Sequence, residues 1–215
     1  MFQTRTSISI RFPRSVLLTI LLLSCSLPLA AQTRQYSFDA DGSLLEVHVP
    51  RAGLFSALGH DHRIRARELT GHVSFRDGSP VGTSLVMEVP VSGLSVEDPE
   101  VKEKTRGKIE KEMRGPEVLA QQAYPVIRFT AEGITQKRSG EWLVKGFLYV
   151  RGRSRQLDFP AQVSYPRQGQ LLAVGTLELE PEIFGIEPVS ALGGMVRTAE
   201  TIEIHFRILG QLQPE

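Results

Sequence analysis

Glu141-Trp-Leu-Val-Lys-Gly-Phe-Leu-Tyr-Val-Arg-Gly-Arg-Ser-Arg-Gln-Leu-Asp-Phe-Pro-Ala-Gln-Val-Ser-Tyr165 reads as two strands folded back on each other. Phe147 and Tyr149 alternate with Leu148 and Val150 up to a break at Arg151-Gly152-Arg153-Ser154. Leu157, Phe159, Ala161, Val163 and Tyr165 restart the period of two. Aromatic and β-branched residues in alternation, with glycine at the break, are the local signature of a hairpin. Gly152 supplies the positive φ that a tight turn requires. The arginines around it predict a solvated turn.

The same period recurs on both sides of this hairpin. Arg34 to Asp39 predicts a short strand, Asp41-Gly42 a turn, and Leu45, Val47 and Val49 a half-buried strand ended by Pro50. Leu69 to Phe75 predicts another strand, followed by a turn at Asp77-Gly78-Ser79-Pro80. Leu85, Met87, Val89 and Val91 alternate cleanly, with Pro90 on the opposite face as the mark of an edge or a bulge. Ile127, Phe129 and Ala131 follow Pro125. Leu172 and Val174 precede Gly175 while Leu177 and Leu179 follow it, a phase change that predicts a β-bulge. Ile202, Ile204, Phe206 and Ile208 make the last strand.

One region breaks the pattern. Asp98-Pro99 has the form of a helix start, a capping carboxylate followed by proline. Glu100/Lys104 and Glu110/Arg114 stand four apart with the acid first. Gly107 and Gly115-Pro116 interrupt the run, so one or two short, mostly solvated helices are expected. Eight or nine strands with one helical insert and short turns favour an antiparallel barrel or a sandwich. Alternation does not decide between those two.

The first 31 residues have a different character. Arg5, Arg11 and Arg14 precede the apolar run Val16 to Leu23, which is too short to span a bilayer, and small residues follow at Ala30-Ala31. This is the layout of a secretory signal peptide over residues 1–31, leaving a single domain over residues 32–215. Its removal takes away three arginines and no acid, which moves the formal charge from +1 to −2. That balance offers nothing to a nucleic acid or an anionic membrane surface. Cys25, the only cysteine, falls inside the leader, so the domain must rely on its core rather than on a disulfide. Leu22-Leu23-Ser24-Cys25 has an alternative reading as a lipobox, in which Cys25 carries a lipid anchor and provides the sole membrane contact.

Four stretches, taken in order, resemble the YceI-like family. They are Tyr36-Ser37-Phe38-Asp39, Tyr124-Pro125 with Ile127 and Phe129, the hairpin Lys145 to Arg155 with Leu157, and Ile183-Phe184-Gly185-Ile186 leading through Val196 to the last strand. The likeness spans nearly all of residues 34–210. It implies an all-β, elongated, lipocalin-like antiparallel barrel of about eight strands, exported to the bacterial periplasm. The family's apolar tunnel is associated with isoprenoid lipids such as polyprenyl phosphates or isoprenoid quinones. The chain departs from the pattern twice. Val118-Leu119 stands where paired aromatics often precede the Tyr-Pro, and Gly59-His60-Asp61-His62 replaces a lone histidine.

The expected ligand-binding residues are Leu85, Met87, Val89, Phe129, Phe147, Tyr149, Phe159 and Phe206, with His60 meeting a polar head at the barrel mouth. Burial of a long tail at roughly 0.8 kcal/mol per CH₂ holds such a ligand without strong polar contacts. Alternating apolar residues also build a filled core, and a ligand-free envelope module is the corresponding alternative. A second alternative is a metal site on His60 and His62, which project to one face of an extended chain, with His48, His72 or Glu46 as third ligand. Arg151, Arg153 and Arg155 are candidates for a phosphate head group. No Gly-x-Ser-x-Gly or phosphate-binding loop is present, and the pattern points to a binding protein rather than an enzyme, with no cofactor implied.

Overall fold

A computed structural model of the chain describes residues 33–52, 61–76, 79–191 and 196–214. The wall is built from β1 (Thr33–Val49), β4 (Thr70–Arg76), β5 (Ser79–Pro90), β7 (Val126–Arg138), β8 (Glu141–Val150), β9 (Arg153–Ser164), β10 (Gln170–Leu179) and β13 (Ile202–Leu212). Every neighbouring pair is antiparallel, and β13 returns to pair with β1, so these eight strands close a barrel. The choice between barrel and sandwich is settled by that last pairing.

Two smaller groups sit beside the wall. The second half of β1 pairs with β3 (His62–Ala66), which pairs in turn with β6 (Leu94–Val96). A short three-stranded sheet joins β2 (Arg51–Ala52), β11 (Ser190–Ala191) and β12 (Val196–Thr198). The helical insert is one helix, α1 (Glu103–Met113), which runs through Gly107 without interruption. Glu110 ties it to the barrel by accepting from the Val96 backbone N–H at 2.9 Å. Arg114 donates to the carbonyls of Ser92 and Leu94, and faces Glu110 at 3.6 Å.

The central hairpin has a two-residue turn. Val150 pairs with Arg153, and the two residues between them, Arg151 and Gly152, both have positive φ, 49° and 70°. That is the mirror-image turn whose twist matches antiparallel strands. A Cβ at Gly152 would lie 2.6 Å from the Tyr124 ring, so the turn and the Tyr124-Pro125 motif form one packed unit. The turn is bolted down rather than merely solvated: Arg151 donates to the carbonyls of Gly185 and Pro116.

Three local expectations are corrected. Asp41-Gly42 does not reverse the chain. Both halves of β1 pair with β13, and the register jumps from Asp39↔Leu209 to Leu44↔Arg207 across an irregular bulge. Gly42 N–H donates to Asp39 Oδ1 at 3.1 Å, and Ser43 Oγ accepts from Leu209 N–H at 2.9 Å, so the bulge satisfies its own polar groups. Gly175 is not a bulge either, because β10 pairs with β13 without a shift from Gln170↔Gln211 to Leu179↔Ile202. Its missing side chain makes room for Phe206, whose ring would lie 2.4 Å from a Cβ there. Asp98 caps no helix: α1 begins four residues beyond Pro99, with Lys102 at its N-cap position. The Asp98 carboxylate has stronger partners on β3, described below.

Candidate functional site

The inward side chains of the eight strands do not fill the barrel. At one end they do: Tyr36 stacks on Phe75 with ring centres 5.7 Å apart, and the Trp142 ring meets Phe75 edge-on at 5.6 Å. Above this floor a cavity of about 400 Å³ runs along the axis. Trp142, Leu171 and Ile208 line its lower part, and Leu148, Leu177 and Ile204 its upper part. A chain of three aromatics crosses the wall between them, Phe129 to Phe159 at 5.4 Å and Phe159 to Phe206 at 5.6 Å.

The mouth is built from the irregular parts of the chain. Ile109 and Met113 of α1, then Val118 and Leu119, cover one side, and residues from Pro181 to Val189 cover the other. Val118 and Leu119, at the position where the resemblance implies paired aromatics, line the cavity. Phe184, 1% exposed, anchors the second side against Val150 and Leu179.

The ionisable groups of this lining are few and mostly acidic. Among the described residues lining the cavity, the ionisable ones are His62, Glu112, Glu182, Glu187 and Glu200; none is Lys or Arg. His62 is held from behind. Its Nδ1 lies 2.7 Å from Asp98 Oδ2, and Asp98 Oδ1 accepts from the Arg63 backbone N–H at 2.8 Å. Asp98 is 1% exposed, so both of its oxygens are satisfied inside the protein, as a buried carboxylate requires.

Six of the residues expected on the wall are there: Leu85, Met87, Val89, Phe129, Phe159 and Phe206. Phe147 and Tyr149 are not. They face outward on β8, their rings 6.4 Å apart, and Tyr149 is 42% exposed. The inward residues of that strand are Trp142, Val144, Leu148 and Val150. His60 lies outside the described residues. Its neighbour His62 joins the cavity and not a group of three metal ligands among the described residues. The three arginines of the hairpin turn leave the cavity alone. Arg151 holds backbone carbonyls, the Arg153 guanidinium packs where a Gly185 side chain would stand, and Arg155 donates to the Ser154 carbonyl at 2.8 Å.

A closed antiparallel barrel with an axial apolar hollow, floored at one end and straddled by a helix at the other, is a lipocalin-like container. The match of the YceI-like domain model to residues 36–209 goes further, and the chain belongs to that family. The fold is shared with solved structures of low sequence identity. Burkholderia cenocepacia BcnA has a TM-score of 0.65 at 15% identity over 80% of this chain and 98% of its own. A polyisoprenoid binding domain from Saccharophagus degradans, implicated in plant cell wall breakdown, has 0.61 at 13% identity over 83% and 98%. The Campylobacter jejuni YceI protein has 0.58 at 11% identity over 71% and 85%. No curated protein matches the sequence.

Proposed function

We propose that this protein is an exported carrier that holds one amphiphilic isoprenoid with its tail in the barrel and its head at the mouth. The observation that carries this reading is the apolar cavity of about 400 Å³. The strand residues that form most of its wall are apolar, and burying apolar surface against them is worth roughly 25 cal/mol per Å² removed from water. The similarity in fold to a polyisoprenoid binding domain supports the same ligand class. A binding role without catalysis is consistent with the family, and the signal-peptide-like layout of residues 1–31 supports delivery to the periplasm, either free or anchored through Cys25.

The mouth favours one head group over another. A phosphate calls for Arg or Lys donors, and the cavity lining among the described residues has none, while four glutamates stand there. A neutral quinone head avoids that repulsion, and its carbonyl can accept from the free ring nitrogen of His62. The isoprenoid quinone is therefore preferred to the polyprenyl phosphate.

The chain carries its own reporter. Trp142 is the single tryptophan and lines the cavity. Titration of delipidated protein with an isoprenoid quinone is expected to quench its fluorescence in a saturable way, with one site per chain. A polyprenyl phosphate of equal tail length is expected to compete only weakly. Absence of saturable quenching, together with no lipid in an organic extract of the purified protein, would overturn the carrier reading. Preferential competition by the phosphate would keep the carrier and overturn the head-group assignment.

A further inference from the structure

We infer that the outer wall of the barrel carries a site for a divalent transition metal, zinc by preference, formed by Glu46 and His48 of β1 with Glu203 and His205 of β13. These four residues occupy a square on the sheet. Glu46 is the direct cross-strand partner of His205, and His48 that of Glu203. All four share one face, because residues two apart on a strand point the same way and direct partners do too. The inward neighbours Leu45, Val47, Ile204 and Phe206 line the cavity, so this face is the outside.

The square is chemically sorted. The imidazoles stand on one diagonal with ring centres 4.3 Å apart, and the carboxylates stand on the other. Each imidazole already aims Nε2 at a carboxylate: His48 at Glu46, and His205 at Glu203 at 3.0 Å. One ligand atom each from His48, Glu203 and His205 lies within 4.8 Å of the others. A tetrahedral zinc ion with Zn–N and Zn–O near 2.0–2.1 Å places its ligands about 3.3 Å apart. A side-chain adjustment on the order of 1 Å brings His48, Glu203 and His205 to that spacing, and Glu46, already bonded to His48 Nε2, completes the shell by turning its carboxylate toward the same point. Two neutral imidazoles and two carboxylates also balance a divalent charge, and this borderline donor set suits zinc better than calcium or magnesium.

The surroundings support ligation rather than simple ion pairing. His205 Nδ1 is 3.2 Å from Thr176 Oγ1 on β10. When Nδ1–H donates to that hydroxyl, Nε2 presents its lone pair, which is the orienting contact that metal-binding histidines use. Among the described residues, no arginine forms an ion pair with Glu46 or Glu203, although Arg63 stands directly across from His48. Arg65, opposite Glu46 in the ladder, faces Glu97 at 4.0 Å, and Arg207 donates to the Gly42 carbonyl at 2.9 Å. The site lies on the seam where the first and last barrel strands meet, so the ion would staple the closure of the barrel.

The test uses the chain over residues 32–215 without a histidine tag, in buffer free of chelator. Calorimetric titration with zinc chloride is expected to give one ion per chain and a zinc-dependent rise in the unfolding midpoint. His48→Ala/His205→Ala is expected to weaken binding by more than about 100-fold and to abolish the rise. Thr176→Val, which removes only the orienting hydroxyl, is expected to cost about tenfold. His62→Ala, at the cavity mouth, is expected to leave zinc affinity unchanged. Unaltered stoichiometry in the double variant, or no zinc uptake by the parent protein, overturns the assignment. Circular dichroism of each variant, with His48→Gln/His205→Gln as the milder pair, separates lost ligands from lost fold.

Discussion

Asp98 shows how one buried charge can organise a mouth. Its carboxylate takes the His62 ring on one oxygen and the Arg63 N–H on the other, and so fixes the first residue of β3 at the cavity rim. Asp98→Ala leaves both donors without their partner. The expected loss is about 1–3 kcal/mol in urea unfolding, with a smaller loss for Asp98→Asn, which keeps an acceptor for Arg63. The sequence Asp-Pro invites a helix-cap reading, and nothing local contradicts it. The competing partner lies 36 residues away, and no spacing rule reaches that far. Gly152 is the opposite case, legible from its neighbours alone. Its φ of 70° and the Tyr124 ring 2.6 Å from a would-be Cβ both exclude a side chain. Gly152→Ala is expected to cost about 1–3 kcal/mol, read in the same unfolding experiment.

At the scale of the element, most barrel strands were legible, but the continuity of β1 through Asp41-Gly42, the existence of β3 and the phase of β8 were not. Alternation reports a period of two but not which face turns inward when both faces are apolar. On β8 the outer face carries Leu143, Phe147 and Tyr149, and the inner one Trp142, Val144, Leu148 and Val150. The missed signal was in the partner strand. On β9, Leu157 and Phe159 alternate with Gln156 and Asp158, so their inward face is plain. A two-residue turn then pairs them with Gly146 and Val144, and direct partners share a face. The bulge expected at Gly175 failed for a related reason. Leu172 and Val174 are outward apolar residues, and Val174 is 39% exposed, so they do not mark the inner phase. A double substitution tests the face assignment: Phe147→Ser/Tyr149→Ser is expected to leave quinone quenching of Trp142 within about twofold. By contrast, Leu148→Asp puts a carboxylate on the cavity wall and is expected to abolish it, since an unpaired charge there is costly to bury.

For the whole molecule, the central question is why a barrel of this size is left hollow. A cavity of about 400 Å³ is large on the scale of engineered core voids. Each apolar residue on its wall forgoes the packing contacts that a filled interior would supply, and that loss grows with the volume left open. Net domain stability is only about 5–15 kcal/mol, so such a loss matters. The eight closed strands and the two aromatic contacts at the floor must carry that deficit when the chamber is empty, and a tail in the chamber relieves it. Folding stability and ligand occupancy are thus coupled, and the coupling can be probed from the protein side. Ala173 lines the cavity on β10, between Leu171 and Gly175, where a larger side chain points into the hollow. Ala173→Trp is expected to raise the unfolding midpoint of the delipidated protein while removing saturable quinone uptake. The parent protein is expected to regain at least as much stability on loading, by the linkage between binding and folding. If the tryptophan variant is destabilised and still takes up quinone, the cavity is not where the tail resides.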